Sequence, residues 1–229
     1  MGNLSEFLME ELNVATAFTI PIFGGIEVAE STVISWVIMA IIVILTLVLT
    51  RNMRVEKPGK LQVGVEYAVT ALQNLVRGII GHEGERYVPY LSTVLVFLGI
   101  SNIFAIFGMK PPTKDLNVTA ALALMSIVLV QIASIRQNRV KGWLKGFTKP
   151  IAVVTPINIM ELAIRPLSLC MRLFGNVLGA FVVMKLLEHL VPIILPAVFS
   201  LYFDFFDGLI QAYVFVFLTG LFIKEAVED

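Results

Sequence analysis

Charge is scarce in this sequence. Only 15% of its 229 residues are Asp, Glu, Lys or Arg, against roughly a quarter in soluble domains. A water-exposed fold of this size could not hide the remaining apolar side chains, so the soluble, disordered and coiled-coil classes are excluded. Cysteine is nearly absent. Cys170 stands alone, which removes an intramolecular disulfide framework and any Cys/His metal spacing. There is no GxxxxGK[ST] loop and no HExxH pair, so neither nucleotide hydrolysis nor metal-dependent proteolysis has a visible site. No cofactor, resident metal or nucleic acid is expected, and no internal repeat is evident. What is abundant is apolar surface: 58% of residues are hydrophobic and the mean hydropathy is +0.88. The expected class is an all-α integral membrane protein.

Residues 33–50 contain no charge, and eighteen residues at 1.5 Å each just cross a hydrocarbon core of roughly 30 Å. They form the first expected transmembrane helix. Residues 1–32 carry five glutamates and no Lys or Arg, unlike a cleavable signal, and are expected to stay attached as an acidic outer tail. The net charge of zero is unevenly spread. Nine of the seventeen basic residues fall in two stretches, from Arg51 to Lys60 and from Arg136 to Lys149. The positive-inside rule puts both on the cytoplasmic side and the N-terminus outside.

Residues 88–109 and 116–135 then supply two crossings joined on the outer side. Between the first two crossings, in 51–87, polar residues Gln62, Glu66, Thr70, Gln73 and Arg77 recur every three or four positions, a striped helix suited to the membrane interface. Residues 136–150 form the second basic loop. The final region, 151–229, contains helical candidates over 166–190 and 193–223, turned around Pro192 and Pro196. At thirty-one residues the second would be about 46 Å long, so a strongly tilted hairpin is expected. About five crossings in all leave the C-terminus cytoplasmic.

Arg172 lies too far from either end of its apolar helix to snorkel to the headgroups. Insertion scales put an arginine there at roughly 2.5 to 3.5 kcal/mol, and its pKa above 12 allows no neutral form. Asn176 follows one turn later, and Gly175 and Gly179 make a small-xxx-small pair that admits another backbone closely. In the last helix Asp204, Asp207 and Gln211 are spaced i, i+3, i+7. An antiparallel hairpin turning beside Pro192 would pair Arg172 with Gln211, Asn176 with Asp207 and Gly179 with Asp204, making one hydrated polar seam. The bland reading is an internal Arg172–Asp pair that only fixes packing. Elsewhere bland readings suffice: His82, Glu83, His189 and Glu188 flank loops or turns, Lys185 snorkels, and the Asn117-Val-Thr sequon is a common pattern.

At these residues the sequence resembles subunit a of the F-type ATP synthase. The likeness rests on Pro166-Leu-Ser-Leu-Cys-Met-Arg-Leu-Phe-Gly-Asn176, with Thr155-Pro-Ile-Asn-Ile-Met-Glu161, Pro112-Thr-Lys-Asp-Leu-Asn-Val-Thr119 and Gln211-Ala-Tyr-Val-Phe in family order, about half the chain. The resemblance implies a membrane stator in a bacterial plasma membrane, beside a rotor ring of c subunits and a b-subunit peripheral stalk. Protons, or sodium ions, would pass through two offset half-channels. Arg172 would be the essential arginine that discharges each rotor carboxylate and blocks a short circuit. A potential worth roughly 2.3 kcal/mol per charge per 100 mV, summed over several ions, would drive rotation. Gln211 and Asn176 carry over directly, and Glu161 and Ser168 become candidates for the inner access path. The pattern departs where many relatives have Glu nine residues after the arginine, here Phe181, and His or Glu seven before the glutamine, here Asp204. Asp204 and Asp207 are therefore expected to serve the outer path. An independent ion channel or secondary transporter is the alternative, although the inverted repeat common in transporters is missing.

Overall fold

The computed structural model describes residues 16–21, 26–54, 58–104, 111–147, 152–190 and 199–228. Strands β1 (Thr16–Ile20) and β2 (Ile26–Ala29) pair antiparallel, with Thr16 opposite Ala29 and Thr19 opposite Glu27. The later part of the expected acidic tail is thus a hairpin. Thr, Ile, Val and Phe favour the strand, and the hairpin feeds directly into the first helix. The described elements after it are all helical.

Helix α1 (Glu30–Thr50) begins three residues before the expected crossing, with Glu30 in its first turn, where a carboxylate complements the helix dipole. Only Ile34, Ser35 and Ile38 are buried in it, while Trp36, Leu47 and Val48 face outward. Its hydroxyls do not meet lipid unpaired. Ser35, Thr46 and Thr50 donate to the carbonyls of Ser31, Ile42 and Thr46 at 2.7–2.9 Å, as polar groups in hydrocarbon must.

Helix α2 (Lys60–Ile80) realises the striped segment. Gln62 donates to Glu66 at 2.7 Å and accepts from the Arg54 amide at 2.9 Å on its outer side. Its last turns differ in kind: Val76, Ile79 and Ile80 are buried. Gly81 ends the helix with φ of 77°, a left-handed conformation that glycine takes without strain, and its amide bonds the Arg77 carbonyl. Helix α3 (Val88–Ile103) has proline in its first turn, where no amide hydrogen is needed. Leu91, Val94, Leu98 and Asn102 line its buried face at helical spacing. Residues 105–109, the rest of the expected second crossing, lie outside the described residues.

Asp115 starts helix α4 (Leu116–Gly146) by accepting the Asn117 amide at 2.9 Å, an N-cap bond. The third crossing was expected to end at Ile135, with a loop beyond. The helix instead continues to a break at Arg139, whose φ is 56°. Trp143 Nε1 donates to Gln131 Oε1 at 2.9 Å. Twelve residues of straight helix would separate the two by about 18 Å, so the chain doubles back at the break. Part of the basic loop is thereby helical.

Helix α5 (Thr155–Leu190) starts eleven residues before the expected Pro166. That proline sits inside the helix, where it leaves the residue 162 carbonyl without its usual amide partner. At 36 residues, or about 54 Å, α5 is also too long to stand upright in the bilayer. The final element opens with a π-helical stretch, Leu201–Asp207, and continues as α6 (Gly208–Glu228). The expected tail from Lys224 onward is mostly part of α6. The expected turn at Pro192 and Pro196 lies outside the described residues.

Among the described residues four helices are long and apolar enough to cross a membrane: Glu30–Thr50, Leu116–Leu144, Thr155–Glu188 and Leu201–Val227. α3 has sixteen described residues without a charge, about 24 Å of apolar helix. The core forms where the end of α2 meets α3, α4, α5 and α6, around Ile80, Leu91, Leu98, Val130, Leu173, Val216 and Ile223. Because lipid tails are as apolar as these side chains, close packing rather than water exclusion holds the helices together. Glycine permits that packing at one joint: a Cβ on Gly208 would sit 2.8 Å from Asn102 Cβ, backbone-anchored and unable to swing aside. Gly208→Ala should therefore lower the stability of the detergent-solubilised chain by about 1 to 3 kcal/mol in thermal melts. Gly175→Ala, which meets nothing within 4 Å, should leave it unchanged or slightly higher.

Candidate functional site: an exposed arginine and two polar tracks

On α5 the positions 161, 165, 168, 172, 176 and 179 advance by three or four residues and so share one side of the helix. A neighbouring side, roughly 100° round the helix, carries Leu169, Leu173, Val177 and Met184, all buried. Thr119 on α4 reaches this inner side, 3.6 Å from Cys170 Sγ. That apolar face fixes the rotation of α5. It leaves Ser168, Arg172, Gly175, Asn176 and Gly179 exposed.

Arg172 makes no hydrogen bond or ion pair among the described residues. The bland reading of an internal Arg172–Asp pair finds no support there: Asp207 bonds Gln211 instead. No atom of the chain lies within 4 Å of where a Cβ on Gly175 or Gly179 would stand. The small-residue groove is open rather than filled by α6.

The polar seam lies elsewhere than expected. Gln211 is buried and donates to Asp207 Oδ1 at 3.4 Å, one turn away. The adjoining Gly208 carbonyl accepts from Asn102 Nδ2 at 2.8 Å, and Asn102 Oδ1 accepts from Thr113 at 2.8 Å. Two residues on, buried Asp115 accepts from Ser31 at the start of α1. A track of polar groups thus runs from the α1 start through the 112–115 turn and the end of α3 to Gln211. The expected i, i+3, i+7 stripe holds only from Asp207 to Gln211, because a π-helical stretch bonds i to i+5 and shifts the phase of what precedes it. The Asp204 side chain lies outside the described residues.

A second cluster sits toward the start of α5. Arg165 Nη2 is 2.9 Å from Glu161 Oε2 and 2.8 Å from Glu225 Oε1 on α6, with its guanidinium 5.0 Å from the Phe222 ring centre. Glu161 is one member of a charged triad rather than a lone acid. The Arg165–Glu225 bridge displaces the expected α5–α6 register by seven residues, so that strict antiparallel pairing would put Gln211 level with Gly179. Near the other end of α5, Lys114 Nζ lies 3.4 Å above the Phe181 ring, and Lys185 pairs with Glu188 at 2.9 Å.

Asn102, Thr113, Asp115, Arg165 and Glu225 were not singled out in the sequence as site residues. Asp115 could have been, as an acid beside an apolar helix start. Arg165 and Glu225 are sixty residues apart, and no local spacing links them. Among the described residues no group of His, Cys, Asp and Glu could hold a metal ion.

The family model described as ATP synthase A chain matches residues 32–224. Among curated proteins, ATP synthase subunit a of Moorella thermoacetica is 36% identical over 206 residues, covering 90% of this chain and 94% of that protein. ATP synthase subunit a 1 of Crocosphaera subtropica is 32% identical, covering 89% of each. A protein of Propionigenium modestum named ATP synthase subunit a, sodium ion specific, is 30% identical and covers 90% of this chain and 76% of its own.

These environments predict opposite stability effects. Arg172→Ala should change the melting of the isolated chain by no more than about 0.5 kcal/mol, as exposed positions do. Asn102→Ala, which strands a buried carbonyl and a buried hydroxyl, should cost about 1 to 3 kcal/mol in the same melts.

Proposed function

This chain belongs to the ATP synthase A chain family, the non-catalytic, ion-translocating membrane part of that complex, and from that premise we propose that Arg172 faces the carboxylates of a c-subunit ring. The observation that carries this reading is the exposure of Arg172 on an open small-residue face with no partner among the described residues. A guanidinium in hydrocarbon needs a counter-charge, and if its own chain supplies none, another protein must. Gly175 and Gly179 let a rotor helix approach closely enough for direct contact.

The cation favours the ionised rotor carboxylate over its proton- or sodium-loaded form, so each loaded site releases its ion as it arrives. Its fixed charge also repels ions that would pass straight between the half-channels. Gln211, buried and neutral, supplies a hydrogen-bonding group without a competing charge. On the outer side, ions enter along Asp115, Asn102 and Asp207 toward Gln211, with Asp204 serving the same path. Waters between these groups keep the acids hydrated and exchangeable, since buried bare carboxylates would be costly. On the inner side, Ser168 and Glu161 line the exit, with Asn176 beside Arg172. The N-terminus lies outside and the C-terminus in the cytoplasm of a bacterial plasma membrane, and a b-subunit stalk holds the chain against rotation.

Arg172→Ala in the assembled complex should abolish ATP synthesis driven by an ion gradient, with c-ring assembly preserved on native gels. Normal synthesis by that variant would remove the reading. The purified wild-type chain should move no ions in liposomes until c-ring is added, whereas transport by the chain alone would point to an independent channel. Asp204→Asn combined with Asp207→Asn should slow ATP-driven pumping at least roughly tenfold, the scale of losing positioned proton-transfer groups.

A further inference from the structure

Two arginines share one side of α5, two turns apart. Arg172 has no partner among the described residues, whereas Arg165 is held by two carboxylates and an aromatic ring, with its side chain only 23% exposed. The two carboxylates differ in what they can do. Glu161 lies on α5 itself, one turn before Arg165, and can only stiffen that helix. Glu225 belongs to α6, sixty residues away, so its bond ties one helix to the other. It is an ion pair that joins α5 to α6 directly.

Helices in lipid are free to slide where their contacting faces are smooth and apolar, since neither shape nor hydration penalises a shift as strongly as in water. The buried side of α5, with Leu169, Leu173 and Val177, is apolar and carries no charge that would resist sliding. A forked guanidinium that bonds oxygens on two elements does resist it. It holds position by direction as well as by charge. Isolated surface ion pairs contribute little, but here the Arg165 side chain is three-quarters covered, shared between two half-exposed acids and backed by Phe222.

We infer that Arg165 is a positioning residue that, through Glu225, sets the axial register of the Arg172 helix against the Gln211 helix. This rests on the function proposed above. Arg172 lies about 10 Å further along the same helix, so any slip at Arg165 is passed on to the Arg172 guanidinium, and a slip of one turn would move it by about 5 Å relative to Gln211. The rotor carboxylate would then pass a cation at the wrong depth. Glu161 acts within α5 and does not set the register.

The test uses the complete complex, in a Cys170→Ala background with spin labels at Leu167→Cys on α5 and Leu221→Cys on α6. Arg165→Leu and Glu225→Gln should each shift or broaden the measured distance by about 1.5 Å or more, one residue of helical rise, whereas Glu161→Gln should leave it as in the parent. Without labels, Arg165→Leu and Glu225→Gln should each lower gradient-driven synthesis roughly tenfold with the c-ring still bound. Arg165→Lys, which keeps the cation, should restore most of the synthesis and the parental distance. An unchanged distance in Glu225→Gln overturns the inference, as does an equal shift in Glu161→Gln, which would mark a role within α5 alone. Either result leaves the stator reading intact, because that reading stands or falls on Arg172→Ala. Should Arg165→Leu fail to assemble, the half-exposed Glu225→Gln decides the question alone.

Discussion

In a bilayer core there is no water to satisfy a polar group, and nearly every feature of this chain follows from that constraint. The hydroxyls of α1 turn back to carbonyls one turn earlier. Asn102 closes a gap between α3 and α6 by donating to Gly208 and accepting from Thr113. Arg165 gathers two acids and a ring. Against this background Arg172, exposed in the same helix, is a permanent charge within an apolar span for which the described residues supply no partner. The buried hydroxyls of Ser92 and Ser101 also lack one among the described residues, but a bare hydroxyl costs far less in hydrocarbon than a bare cation.

The constraint also explains the packing. Apolar side chains gain little by leaving lipid for protein, so helix contacts are made where small residues let backbones approach and where a few hydrogen bonds add direction. Gly208 against Asn102 is such a place, and Gly220 beside Ile79 is another. Gly175 and Gly179 have the same character but face outward. The chain builds its own core with one set of close approaches and leaves a second set open beside its exposed cation.

The two polar tracks lie on different elements. One runs from the α1 start and the 112–115 turn to Asp207 and Gln211; the other runs from Glu161, Arg165 and Glu225 toward Ser168 and Arg172. No single line of polar groups crosses the chain among the described residues. Under the function proposed above the tracks would belong to two offset half-channels, and ions moving between them would require a carrier.

Charge scarcity, the uncharged run over 33–50, the striped segment and the isolated Arg172 were legible from the residues alone, because length, hydropathy and the cost of a buried cation depend on local sequence. The family was legible for the same reason, since its motif is contiguous around Arg172. The register of the last two helices was not. An i, i+3, i+7 stripe assumes an uninterrupted α-helix, and the π stretch over Leu201–Asp207 breaks that assumption without any proline or glycine to announce it. Nor could spacing reveal that Pro166 would lie inside a helix starting at Thr155. Pairings such as Arg165 with Glu225 and Asn102 with Gly208 join positions sixty and 106 residues apart. Sequence determined which residues could not rest in lipid unaided; tertiary structure decided which neighbour each would find, because that choice depends on how apolar helices pack together, and composition leaves the packing open.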